Sequence, residues 1–370
     1  MKFKNSYVKQ VIRFLGFSSR KEANTVYEPA ASLFRELVAT KKVPGLAVTV
    51  LKKGKVIFDQ GYGFANIEDQ IPVDPQNTFF RIASVSKPIV ASALAVMVSE
   101  GKISLDISFY TYVPYYPKKK WDFTLRQLAS HTAGIRSYRG KEFALNEPYS
   151  IKEGIAIFKD SDLLFEPGTA YNYTSYGWVL IALAMQEVSG VPFEDYVEDT
   201  ILKPLQLTNI YASNVHKEAI VASLWRSSNL ATSKTNYYTK SGGGFRVATP
   251  VNNFYKLAGG GYLGTSSDVA RFGQSILDHD FLSESSNENF ITSAIIKNTP
   301  TYYGLGWQVS KDPYGRSYYG HVGSGIGGYA NFFVYPKEQL VFSILINCTD
   351  PKVQETLDKA IDLFIKVKNS

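Results

Sequence analysis

β-strand signals stand at the two ends of this 370-residue chain and are scarce between them. Near the start, Gly45–Leu51 and Val56–Phe58 are β-rich runs separated by a turn containing Lys52, Lys53 and Gly54, the pattern of a hairpin. Near the end, Tyr318–His321, Tyr329–Tyr335 and Leu340–Asn347 follow one another, with a helix expected over Val353–Val367. Strands need partners, so the simplest architecture is one antiparallel sheet drawn from both ends, flanked by helices. The middle of the chain is then an inserted, mainly helical lobe, and a cleft is expected between lobe and sheet. These are the marks of an α+β fold. The boundaries read as a basic segment over 1–25 and a single domain over 26–370. Its sheet lobe takes about 26–95 and 300–370, and its helical lobe about 96–299. A helix is expected over 27–41, another from Ile82 to about Glu100 ended by Gly101, and others over Gly177–Val188 and Asp268–Leu277. Cys348 is the only cysteine, so no intrachain disulfide forms, and a chain of this size must be held by its core.

The formal charge of +7 suggests an acidic partner until it is located. Residues 1–21 carry Lys2, Lys4, Lys9, Arg13, Arg20 and Lys21 and no acid, which leaves 34 basic and 33 acidic groups for the rest. A near-neutral body offers no basic face for nucleic acid. The run Lys118-Lys119-Lys120 reads as a solvated loop. Val8, Val11, Ile12 and Leu15 place one apolar stripe on a basic helix, which suits peripheral membrane contact, a transit-like segment or simple packing on the domain. Arg13 interrupts the only apolar stretch, so neither a cleavable secretory signal nor a transmembrane span is read, and cell-envelope association and organelle targeting both stay open. The histidines, His131, His216, His279 and His321, never fall at the spacing of a helical metal pair, so no metal or other cofactor is expected.

The chemistry begins at Ser84-Val85-Ser86-Lys87. Ser-x-x-Lys is a weak pattern, and Ser18-x-x-Lys21 and Ser99-x-x-Lys102 also match it. Only Ser84 stands where an apolar helix begins. There Lys87 lies about one turn below it on the same face, within reach of its proton, and free N–H groups at the helix start can stabilise an anion. The bland alternative is a serine cap followed by a surface lysine.

Two further stretches weigh against that alternative. Phe165-Glu166-Pro167-Gly168-Thr169 leads into Tyr171-Asn172-Tyr173-Thr174-Ser175-Tyr176, and Gly320-His321-Val322-Gly323-Ser324-Gly325 precedes two strands. In order and spacing these three elements resemble the serine β-lactamase and penicillin-binding-protein superfamily, in particular its class C-like esterase and D-peptidase branch. Leu125–Ile135, Gly259–Val269 and Tyr303–Trp307 add to the likeness, which extends over about residues 30–365. Within it, the mitochondrial serine β-lactamase-like proteins look closest. The resemblance implies a β-lactamase/transpeptidase-like fold, with Ser84 as the acylated nucleophile, Lys87 as its proton acceptor and Tyr173 as the proton shuttle to the leaving group. It also implies an oxyanion hole from the N–H groups of Ser84 and Ser324. Ser175, His321, Gly323 and Ser324 would form the substrate-binding edge, with the glycines letting a substrate backbone approach the sheet. Lys87 would need burial or a nearby cation to be neutral, and positive neighbours would favour a Tyr173 phenolate.

Two registers have competitors. Tyr171 and Tyr176 flank Tyr173, and Lys240-Ser241-Gly242 rivals His321-Val322-Gly323 but lacks two following strands, so residues 240–244 read as a flexible glycine loop. Two departures limit what is inherited. Ser175 stands where the family usually has Asn, offering one hydroxyl instead of an amide. His321 replaces a lysine, so a substrate carboxylate would be held only by an imidazolium, with a step near the ordinary imidazole pKa. Both argue for weak or no β-lactamase activity and for a small-molecule or peptide substrate: an ester, a D-peptide or another small amide. The other class left open is a catalytically weak scaffold, binding or filament-forming protein of the same fold. His131 reads as a structural hydrogen-bonded histidine and Cys348 as a buried strand residue.

Overall fold

In the computed structural model, which describes residues 25–213 and 235–367, the two ends of the chain hydrogen-bond into one sheet. The basic segment 1–21 and His216 lie outside the described residues. The chain enters through α1 (Glu28–Ala39), then β1 (Gly45–Lys52), β2 (Lys55–Asn66), β3 (Ile71–Pro72) and β4 (Phe80–Arg81). A 3-10 turn, Ala83–Val85, leads into α2 (Ser86–Ser99). The lobe that follows contains α3 (Tyr176–Ser189), β5 (Ile210–Ala212), β6 (Tyr238–Ser241), β7 (Gly244–Val247), β8 (Tyr262–Gly264) and α4 (Ser266–Leu277). After the small hairpin β9 (Ile295–Ile296) and β10 (Thr299–Pro300) come β11 (Gln308–Lys311), β12 (Ser317–Gly325), β13 (Gly328–Tyr335) and β14 (Leu340–Ile346), and α5 (Gln354–Lys366) closes the chain.

The main sheet has the order β11-β12-β13-β14-β1-β2-β3 and is antiparallel throughout. Its join is β1 against β14, with Leu46 opposite Ile346 and Val50 opposite Phe342. All but the last residue of β1 is buried because both faces are covered. Leu46, Val48 and Val50 pack with α1 and α5, alongside Phe34, Phe342 and Phe364. Ala47 and Leu51 face the larger core built around α2 and α3. Those two helices are apolar on nearly every side, which suits only the middle of a lobe.

The inserted lobe is mainly helical, as expected, and β5 and β8 join β4 in a three-stranded sheet. One expectation needs correction. Residues 240–244 are not a flexible loop: β6 and β7 pair through a tight turn in which Gly242 and Gly243 both have positive φ, +53° and +80°, as a type I′ turn requires. Lys118 and Lys120 are exposed in a loop, as expected, and the lysines also make contacts. Lys118 lies 3.6 Å from the centre of the Tyr110 ring, and Lys119 Nζ donates to the Lys159 carbonyl. Cys348 is buried as expected, just beyond β14. No helix among the described residues is long and apolar enough to cross a membrane.

Candidate active site

Ser84 sits in the 3-10 turn between β4 and α2 and caps nothing; Val85 holds the N-cap position of α2 without a side-chain hydrogen bond. The turn is fixed by Ser86, whose Oγ donates to the Ala83 carbonyl at 2.7 Å and accepts from Tyr262 N at 3.2 Å. Ala83 has φ +46°, a strained value for a residue with a Cβ. The turn also presses on β12: a Cβ added to Gly323 would stand 2.3 Å from the Ile82 carbonyl oxygen. The serine-bearing turn is thus itself a close approach that requires glycine at position 323.

Lys87 lies below Ser84 as its helical spacing requires, with Nζ donating to Ser84 Oγ at 3.0 Å, to Ser175 Oγ at 3.3 Å and to the Gly259 carbonyl at 2.6 Å. The side chain is fully buried and forms no ion pair with a carboxylate among the described residues. Burial holds its pKa well below the ordinary lysine value. Gly259 can approach Ser175 only because it lacks a side chain, since a Cβ there would come within 2.8 Å of Ser175 Cβ.

Tyr173 completes the cluster, its hydroxyl donating to Ser84 Oγ at 2.9 Å while its ring centre lies 4.9 Å from Lys87 Nζ. Desolvation pushes the phenol upward and the hydrogen bond with Ser84 pulls it down by less. Burial is the larger of the two effects, so the phenol is held above its ordinary value and not pushed toward phenolate as expected. The competing tyrosines are elsewhere: Tyr176 is buried with its hydroxyl donating to Glu142 at 2.9 Å, and Tyr171 lies half-exposed against His131 and Tyr303.

His321 departs most from expectation. It is 1% exposed, and its Nδ1 lies 2.7 Å from the Val322 carbonyl, which requires a proton on that nitrogen. Nε2 then accepts from the Tyr303 hydroxyl at 2.8 Å. Burial first, and the Lys87 charge second, lower its pKa to about 3 against the opposing bond to Val322. The imidazole is thus buried with both nitrogens occupied, and burial disfavours the charged form on which the carboxylate expectation depends.

Ser324 lies further along β12 and is exposed. Val322 N donates away from β13, to Gln308 Oε1 at 2.9 Å, and alternation sends the Ser324 N–H the same way. β11 pairs with β12 only as far as Gly320, so that N–H faces an open edge beside the serine-bearing turn. Gly259, Tyr303 and His131 are parts of this cluster that sequence reasoning did not assign to it. Gly259 contributes only a backbone carbonyl, and the other two reach the cluster through contacts far apart in sequence.

A seven-stranded antiparallel sheet backed by helices, with Ser-x-x-Lys running from the 3-10 turn into α2 and His-x-Gly on β12 beside it, defines a serine β-lactamase/penicillin-binding-protein fold. Residues 30–365 match the Beta-lactamase family, and the chain belongs to it. It is 26% identical to the human "Serine beta-lactamase-like protein LACTB, mitochondrial", over 84% of this chain and 72% of that protein. The fold is shared with D-amino acid amidase from Ochrobactrum anthropi SV3 (TM-score 0.78, 17% identity, 93% of this chain and 100% of that one). It is shared also with EstCE1, a hydrolase with promiscuous acyltransferase activity (TM-score 0.74, 16% identity, 91% and 98%). The chain is thus a member of a serine β-lactamase-fold hydrolase family.

Proposed function

We propose that this protein is a serine hydrolase that forms an acyl-enzyme on Ser84 with an ester, a D-peptide or another small amide, and that it has weak or no β-lactamase activity. The observation that carries this reading is the convergence on one hydroxyl of a buried lysine without an acid, at 3.0 Å, and a tyrosine at 2.9 Å. A neutral Lys87 has a lone pair for the Ser84 proton as Oγ attacks the substrate carbonyl. Negative charge then collects on the carbonyl oxygen, where the N–H groups of Ser84 and Ser324 would stabilise it. When the carbon–oxygen or carbon–nitrogen bond breaks, the Tyr173 hydroxyl gives its proton to the leaving group. The proton held on Lys87 returns to the phenolate. Water enters by the reverse sequence and releases the acid.

The substrate preference rests on what the edge lacks. A penicillin brings a carboxylate, and the position that would hold it carries a neutral, hydrogen-bonded His321. Amide recognition is reduced to the single hydroxyl of Ser175. Neutral esters and small amides need neither group. The solved structures that share the fold include a D-amino acid amidase and a hydrolase with promiscuous acyltransferase activity, which is in keeping with this choice.

Intact-mass labelling with a fluorophosphonate, followed by peptide mapping, tests the proposal. Ser84 should be modified, and Ser84→Ala should lose both labelling and hydrolysis of short-chain p-nitrophenyl esters. Lys87→Met and Tyr173→Phe should remain folded by circular dichroism and slow acylation about 100-fold or more. Modification at another residue, or a folded protein that is never modified, would overturn it and leave the scaffold reading.

A further inference from the structure

Tyr173 lies in a stretch without regular hydrogen-bonded structure, over residues 171–174, yet its hydroxyl sits within 2.9 Å of Ser84 Oγ. Something other than a helix or strand has to hold it. Both of its chain neighbours are bound by one residue: Asn172 N donates to the His131 carbonyl at 2.9 Å, and Thr174 N donates to His131 Nδ1 at 3.3 Å. The imidazole itself packs against the tyrosine, with ring centres 4.4 Å apart and planes tilted by 47°. Tyr303 lies against the same imidazole, at 4.6 Å and 62°.

A histidine at this position is costly. His131 follows the short helix Leu125–Ala129 and its C-cap Ser130, and has φ +62°. That is the left-handed conformation a helix end normally gives to glycine or asparagine, and a residue with a Cβ adopts it only at a cost. The ring is 2% exposed. Because Nδ1 accepts an amide proton, the neutral ring carries its own proton on Nε2, and that nitrogen has no hydrogen-bond partner. Glycine would relieve the backbone and asparagine would tolerate it. Neither brings a ring to the tyrosine.

Ser137 Oγ also donates to the Tyr173 carbonyl at 2.8 Å, but among the described residues His131 alone contacts both neighbours and the ring. We propose that His131 is a positioning residue of Tyr173, its carbonyl and Nδ1 holding the backbone on either side of the tyrosine while its ring sets the phenol over Ser84. His131 does not touch the reacting atoms and is not a catalytic residue. The inference rests on the role of Tyr173 proposed above.

The test uses the full chain and p-nitrophenyl acetate. His131→Phe keeps a ring but cannot accept from Thr174; His131→Gly removes the ring and relieves the backbone; His131→Asn keeps an acceptor and tolerates the left-handed conformation. His131→Phe and His131→Gly should lower kcat about 10- to 100-fold with KM within about twofold, and His131→Asn should recover part of the loss. In a Tyr173→Phe background, His131→Phe should change kcat by less than about twofold, because a positioning residue has nothing left to position. An unchanged kcat in His131→Phe, or a loss of the same size in both backgrounds, overturns the proposal. A crystal structure of His131→Gly gives a reading independent of activity. The Tyr173 hydroxyl should leave hydrogen-bond distance of Ser84 Oγ, and an unmoved tyrosine overturns the proposal whether or not the wild-type protein proves to be a hydrolase.

Discussion

Lys87 and His321 are in the same physical situation: each is a basic group buried without an acid, so each is driven toward its neutral form. For Lys87 that is what the proposed role of a base requires, with Ser84 Oγ within reach. For His321 it removes a charge, because Tyr303 and Val322 occupy both nitrogens. The consequence is measurable in two ways. Between pH of about 3, the value in the folded protein, and 6.5, the ordinary value, the unfolded chain binds a proton at His321 that the folded chain excludes. Folding stability therefore rises with pH through that window and falls on acidification. Urea titrations should show His321→Gln losing less stability on acidification than the wild type, by about 3 kcal/mol between pH 6.5 and 4. Parallel pH dependences in the two proteins would place a charged His321 in the fold. In activity, esters with and without a carboxylate should share one pH profile, with no step near 6.5. A step for the carboxylate-bearing ester alone would restore the imidazolium reading.

The segment before α2 shows how elements place a side chain. Ile82 and Ala83 lie against β12 at Gly323, and Gly260 lies beside Ala83 from the other side. The serine-bearing turn is thus held between two backbones. Gly323→Ala puts a Cβ 2.3 Å from the Ile82 carbonyl oxygen, backbone that cannot swing aside as a flexible side chain would. The variant should keep its far-ultraviolet circular dichroism and melt a few degrees lower, a loss of about 1–3 kcal/mol. Its fluorophosphonate labelling of Ser84 should slow at least about tenfold, since an ångström of misplacement is enough to lose that much. Labelling at the wild-type rate would mean that this close packing does not place the serine.

At the scale of the molecule, the sheet separates two cores with different work. One face, with α1 and α5, closes the two ends of the chain over Tyr27, Phe34, Phe58, Phe342 and Phe364. The other face carries α2, α3 and the cluster around Ser84. Phe364 is 1% exposed and touches the rings of Tyr27, Phe58 and Phe342, so Phe364→Ala should cost about 3–5 kcal/mol by denaturant unfolding. Below its melting transition the variant should keep the wild-type kcat, because the cavity opens on the side away from Ser84. A proportional fall in kcat would show that the two faces are coupled. The amino-acid sequence determined what is written in neighbouring residues: the hairpin of β1 and β2, the late strands, and Lys87 one helical turn from Ser84. The run from Tyr171 to Tyr176 offered three tyrosines, the resemblance picked Tyr173, and the folded chain brings that one within 2.9 Å of Ser84 Oγ. The tertiary structure likewise decided the burial of Lys87 and His321, the contact of Lys87 with the Gly259 carbonyl, the hydrogen bonds of His131 to the backbone on either side of Tyr173 and the reason for Gly323. Those depend on burial and on backbone atoms brought together from distant parts of the chain, and neither leaves a mark in the identity of a single residue.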